Sequence, residues 1–117
     1  KREVRSMNRE VRVRNVTWKD YGISPNLQKE LKAFCMQYGE KKKRGALKED
    51  CRMIEDAAKK TSPVLGPYIL KSVTKDLSYD QLEYDLELGR IPIGKTDFYG
   101  YRRLFFHYLY KMKIGDK

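Results

Sequence analysis

A chain of 117 residues with 40% hydrophobic and 36% charged content is sized for one domain with a modest core. No apolar run approaches the roughly 20 residues that span a bilayer, and no apolar stretch with a cleavage site opens the chain, so a cytoplasmic protein without a membrane partner is expected. The net charge of +10 makes a polyanion the first partner to consider.

Residues 1–18 set Lys1, Arg2, Arg5, Arg9, Arg12 and Arg14 against Glu3 and Glu10, a local excess of +4. Only Val4, Met7, Val11, Val13 and Val16 are apolar there, without a continuous stripe. Val11 to Arg14 alternates like a strand that has nothing to pair with. A flexible basic arm over 1–17 is therefore expected, ahead of a single helical domain over 18–117. Arg12 and Arg14 are its candidate contacts to a DNA backbone or minor groove.

Trp18 to Ile23 leads into Ser24-Pro25, a cap followed by a first-turn proline. Leu27, Leu31, Phe34, Cys35 and Tyr38 then recur at helical spacing, and Gly39 supplies a stop, so the first helix is expected over 25–38. Lys41, Lys42, Lys43 and Arg44 form a basic connector, weakened as helix by Gly45, and are further candidate phosphate contacts. Leu47, Cys51, Ile54 and Ala58 mark a second helix over about 46–60.

Ser62-Pro63 opens a third helix carrying Leu65, Tyr68, Ile69 and Val73. Ser78 caps a fourth over about 78–88, with Tyr79, Leu82 and Leu86 inward and its acids outward. Between Asp76 and Arg90 the charge reverses to −4, which keeps this segment off any polyanion-binding face. Gly89 to Lys95 connects to the last helix, with Ile91 and Ile93 able to pack as a plug. Gly89 to Thr96 has the phosphate-loop spacing G-x-x-x-x-G-K-[ST], but it follows an expected helix instead of the strand that such a loop needs, so no nucleotide cofactor is expected.

The last helix is expected over 97–113, with Thr96 as its cap and Asp97 at its positive end. Phe98, Tyr101, Phe105, Tyr108 or Leu109, and Met112 form its apolar face. Tyr99, Arg102, Arg103, Phe106, Tyr110 and Lys113 lie around the other, the mix of cations and rings that grips phosphates and touches bases. Leu31, Phe34, Ile54, Ile69, Leu82, Phe105 and Leu109 should share one core. The fold class is all-α, a bundle of about five helices ending in a helix-turn-helix-like pair.

Catalysis finds no support. His107 is the sole histidine, the acids do not form a convergent pair, and Cys35 and Cys51 lack the spacing of a metal site. Two buried, unbridged thiols and no metal or other cofactor are expected.

Trp18 to Ser24, Glu30 to Tyr38, Ile54 to Ala58, Val73-Thr74, Pro92 and Phe98 to Phe106 resemble a family of small proteins from phages and prophages of Firmicutes. That family is similar in layout to RinA-type late-gene transcriptional activators with a sigma-region-4-like DNA-binding end. The resemblance runs from about Trp18 to Met112. It implies a regulator that binds duplex DNA, with Lys95, Thr96, Tyr99, Arg102, Arg103 and Lys111 at the reader positions. This chain departs in its short Lys41–Lys48 segment, where the family often has a longer hydrophilic insert, and in its long Gly89–Lys95 connection. The alternative is a protein that docks on host RNA polymerase, packaging machinery or a defence nuclease through Tyr79, Tyr84 and the acids.

Overall fold

The computed structural model describes residues 13–44, 48–85 and 87–115. Arg12 and Val11, together with Leu47 and Leu86 of two expected stripes, lie outside the described residues. Within them the chain is all-α, with six α-helices, a short 3-10 turn at Val13–Asn15 and no strand.

Helix α1, Pro25–Met36, starts as expected, with the Ser24 hydroxyl accepting the Leu27 N–H at 3.2 Å. It ends two residues early, and the chain restarts at once as α2, Tyr38–Arg44. Gly39, expected as a stop, lies inside α2, and the basic run is helix rather than connector. Pairing with the next helix outweighs the weak local propensity. The Tyr38 hydroxyl and the Lys42 ammonium both donate to Glu55, and Lys41 pairs with Asp50 at 3.0 Å.

Helix α3, Lys48–Thr61, buries Cys51, Ile54, Ala57 and Ala58 along one face. The third expected helix begins later than Pro63, as α4, Gly66–Lys75, after a turn in which Ser62 Oγ accepts the Leu65 N–H at 3.1 Å. The small Ala58 lets α4 start hard against α3: a Cβ on Gly66 would stand 3.3 Å from the Ala58 carbonyl oxygen. Asp76, in the left-handed conformation at φ 55°, closes α4 by donating its N–H to Ser72.

The expected helix over 78–88 is a single turn, α5, Tyr79–Leu82, although its Ser78–Gln81 capping box is complete. It stops because Asp85 faces inward rather than to solvent. Its carboxylate pairs with Lys71 and accepts the Glu87 N–H at 2.8 Å, which ties the chain into a loop. Tyr68 donates to the Leu88 carbonyl at 2.9 Å, and Ile91 is buried with Ile93 half-buried, the plug expected at this place.

Helix α6, Lys95–Lys113, starts after Gly94, so Thr96 lies in its first turn instead of capping it. It is the hub of the bundle, packed chiefly against α3 and the Val13–Asn15 turn and touching α1, α4 and α5. Phe98, Phe105, Phe106 and Leu109 are its fully enclosed residues. Their spacing of i, i+7, i+8 and i+11 is one helical stripe. Phe106, expected on the outer face, belongs to the core. Of the seven expected core residues six are fully buried, and Phe34 is half-buried.

Candidate nucleic-acid interface

The inward stripe of α6 runs Phe98, Arg102, Phe105, Phe106, Leu109. Arg102 therefore holds the i+4 position of a buried row, where an apolar residue is the ordinary occupant. Its carbon stem packs along that row and its guanidinium reaches for the edge. The Nε atom is buried without a hydrogen-bond partner, and the guanidinium carbon stands 5.8 Å from the Tyr99 ring centre. Burial pushes the Arg102 pKa down, with Tyr99, Asp76 and Cys35 acting in the opposite direction. A guanidinium still keeps its proton throughout the physiological range.

A second stripe of α6, Asp97, Gly100 and Arg103, lies beneath the start of the described chain. A Cβ on Gly100 would meet the backbone of Val13 and Arg14 at 2.8 Å, so glycine is what allows the crossing. Arg103 donates from Nε to the Val16 carbonyl at 2.8 Å and from Nη2 to the Arg14 carbonyl at 3.1 Å. Arg14 in turn pairs with Asp97 at 3.0 Å. The arm expected to be free as far as residue 17 is thus docked on α6 from Val13 onward. Arg14 and Arg103 act as its fasteners.

Trp18 is presented next to this crossing by a tight turn. Thr17 and Asp20 exchange backbone-to-side-chain bonds at 2.9 and 3.2 Å, and Gly22 supplies the left-handed φ of 74° that closes the turn into Ile23. The Trp18 ring packs against Phe106 at 5.6 Å, and Lys32 from α1 places Nζ 5.8 Å from its centre. Trp18, Lys32, Tyr99, Arg102 and Arg103 together line a cleft of about 250 Å³. Its lining holds three cations, two aromatic rings and no carboxylate.

Of the sequence-derived candidates, this cleft gathers Tyr99, Arg102 and Arg103. The others are dispersed or engaged. Lys95 pairs with Asp80 at 3.0 Å beside an exposed Thr96, and Tyr99 Oη accepts the Tyr79 N–H at 2.9 Å. Lys41 and Lys113 face the Phe34 ring at 4.3 and 3.8 Å, Lys42 is bound to Glu55, and Lys43 and Lys111 are exposed. Arg44 ends α2, and Arg12 lies outside the described residues. Trp18 and Lys32 were not among the candidates. Trp18 carried a signal as a lone tryptophan beside a capped helix start. Nothing local singles out Lys32, because its place in the cleft is set by how α1 crosses α6.

Two further surfaces bear on partners. Tyr84 is 84% exposed, whereas Tyr79 is packed, donating to the Ile93 carbonyl at 2.6 Å. An apolar groove of about 500 Å³ runs between α1 and the end of α6, walled by Leu27, Phe34, Tyr110 and Ile114. Among the described residues no group of His, Cys, Asp and Glu is placed to hold a metal ion, and no helix is long and apolar enough to cross a membrane. Cys35 and Cys51 are free and buried, and burial pushes the Cys35 thiol up to about 12. Comparison with protein-family models, curated proteins and solved structures gives no match.

Proposed function

We propose that this protein is a non-enzymatic, DNA-binding regulator of the phage kind that its resemblance implies, attached mainly through the phosphate backbone. The carrying observation is how the ion pairs are distributed. Asp50, Glu55, Asp80, Asp85 and Asp97 are each paired with a basic side chain of the chain itself, some of them at the surface. Lys29, Lys32, Arg52, Lys59 and Lys60 stay exposed on the outer faces of α1 and α3, with no ion pair to a carboxylate among the described residues. Exposed cations without a partner carboxylate can neutralise phosphates and release counterions from a polyanion, which supplies salt-sensitive affinity, with Glu30, Glu49 and Asp56 exposed on the same helices to limit it.

Helix α6 is enclosed by the core on one stripe and by residues 13–16 on another, so its accessible charge is confined to its ends and to the cleft at Trp18, beside the cations of the neighbouring helices. Enzymatic chemistry has little to work with, since both thiols are buried and His107 Nδ1 is enclosed without a partner.

The test is fluorescence anisotropy of labelled duplex fragments across a salt series. Binding that weakens steeply and linearly in log salt, with a slope reporting several phosphate contacts, is expected. Absence of binding at low salt removes the reading and leaves docking on a protein, for which the exposed Tyr84 and the groove between α1 and α6 are the surfaces. Such an interface would be far less sensitive to salt.

A further inference from the structure

The cleft at Trp18 has the composition of a site and lacks an occupant from the chain itself. Arg102 occupies a core-facing position on the hub helix, its Nε is enclosed, and no acceptor meets it. A buried donor left unmade is costly, and a buried guanidinium more so, which is why such groups are usually paired. Arg103 uses two of its donors on the Arg14 and Val16 carbonyls and keeps others. Lys32 reaches over the Trp18 ring from α1 and completes a third side. The three positive groups therefore converge on a space that no carboxylate lines.

The size of the space limits the ligand. At about 250 Å³ it falls below the range of roughly 300 to 1,000 Å³ usual for whole cofactors or drug-sized molecules. It admits a small anion and excludes a duplex. A tetrahedral anion with several acceptor oxygens can take donors from two guanidinium groups and one ammonium at once, the pattern in which arginine excels.

We propose that this cleft seats one phosphate group of a nucleic-acid backbone, held by Lys32, Arg102 and Arg103 beside the Trp18 ring. This rests on the DNA-binding reading and adds the place at which the strand is gripped. Arg102 lines the cleft, and the phosphate takes its donors from the guanidinium nitrogens on that side, since Nε itself is enclosed. Arg103 also fastens residues 14–16 through two of its donors, so strand contact and arm docking are joined through a single side chain.

Trp18 is the only tryptophan, so its emission reports on this cleft alone. The experiment titrates the full chain with a labelled DNA duplex and a labelled single strand, following anisotropy and Trp18 emission together, with inorganic phosphate as the free anion. The expected result is an emission change that tracks binding. Lys32→Ala, at an exposed position, should lower affinity about tenfold. It should also flatten the salt slope by about one unit. Arg102→Gln should act in the same direction, and Lys32→Ala decides the matter if that variant does not fold.

DNA binding with unchanged Trp18 emission and an ineffective Lys32→Ala would place the grip elsewhere while leaving the DNA reading intact. Inorganic phosphate saturating the emission change at concentrations where DNA does so would make a free anion the ligand and overturn the backbone assignment. No binding of either DNA form at low salt would sink both readings.

Discussion

Arg103 shows how one side chain can be misjudged by its type. Adjacent arginines on an amphipathic helix read as a pair of DNA contacts, yet Arg103 spends its directional donors on two backbone carbonyls and Arg102 turns toward the core. Truncating Arg103 to Ala leaves both carbonyls without their charged donor, and such bonds are worth about 1.5 to 3 kcal/mol when partly enclosed. Thermal melts should show a loss in that range, and amide exchange at residues 14–17 should rise ahead of the rest. A binding defect in this variant would therefore report a loosened arm as well as a lost cation. His107 gives a residue-scale pH effect. Its ring stacks on Tyr21 at 4.7 Å, and burial, with Lys111 and Lys60 adding repulsion, holds its pKa below the usual value. A histidine more acidic in the fold than in the unfolded chain is neutral and harmless above the unfolded value of about 6.5, and costs stability as pH falls through it. The carboxylates of Glu55 and Asp85 are shifted downward and titrate in a lower window. Melting temperature should thus fall as pH drops below the unfolded value of about 6.5. His107→Phe, which keeps the stack, should remove that fall.

At the scale of elements, the capped helix starts were legible because their causes are local. Ser24-Pro25 and the Ser78–Gln81 box act within three residues of themselves. The phase of α6 was legible in part: Phe98, Phe105 and Leu109 of the expected stripe are enclosed and Tyr101, Tyr108 and Met112 half-buried, but Phe106, expected outward, is enclosed with them. It turns inward because it packs on Phe105 and Trp18 at once, which no period within α6 encodes. The helical state of Lys41–Arg44 and the shortness of α5 are likewise set from outside, by Asp50 and Glu55 in one case and by Lys71 in the other. The cleft was half legible, since Tyr99, Arg102 and Arg103 stand in one stretch while Lys32 arrives from α1. Gly100 marks the same dependence. Alanine there would gain about 0.5 to 1 kcal/mol of helix propensity. The added Cβ meets backbone at 2.8 Å, which side-chain rotation cannot relieve. Overpacking of this kind costs about 1 to 3 kcal/mol. Net destabilisation is the expected outcome of Gly100→Ala in chemical denaturation, with residues 13–16 displaced. A more stable variant would mean that the crossing is looser than described.

Across the whole molecule, residues 13–17 of the stretch that sequence alone treats as a uniform arm belong to the fold. Removing residues 1–12 takes away Lys1, Arg2, Arg5, Arg9 and Arg12 with Glu3 and Glu10, but leaves the Arg14–Asp97 pair and both carbonyl acceptors of Arg103 in place. Removing residues 1–17 takes those as well and uncovers the Gly100 stripe of α6. The two truncations should separate electrostatics from folding. The shorter one should keep a cooperative melt close to that of the full chain while its DNA affinity falls and its log–log salt slope flattens, by at most about five units for five lost cations. The longer one should melt lower, by about the cost of the Arg103 bonds or more, and should also blunt the Trp18 emission change, since Thr17 no longer braces the turn that presents the ring. Equal melting temperatures for the two would show that residues 13–17 contribute no stability, and an unchanged salt slope in the shorter one would take the arm out of DNA binding altogether.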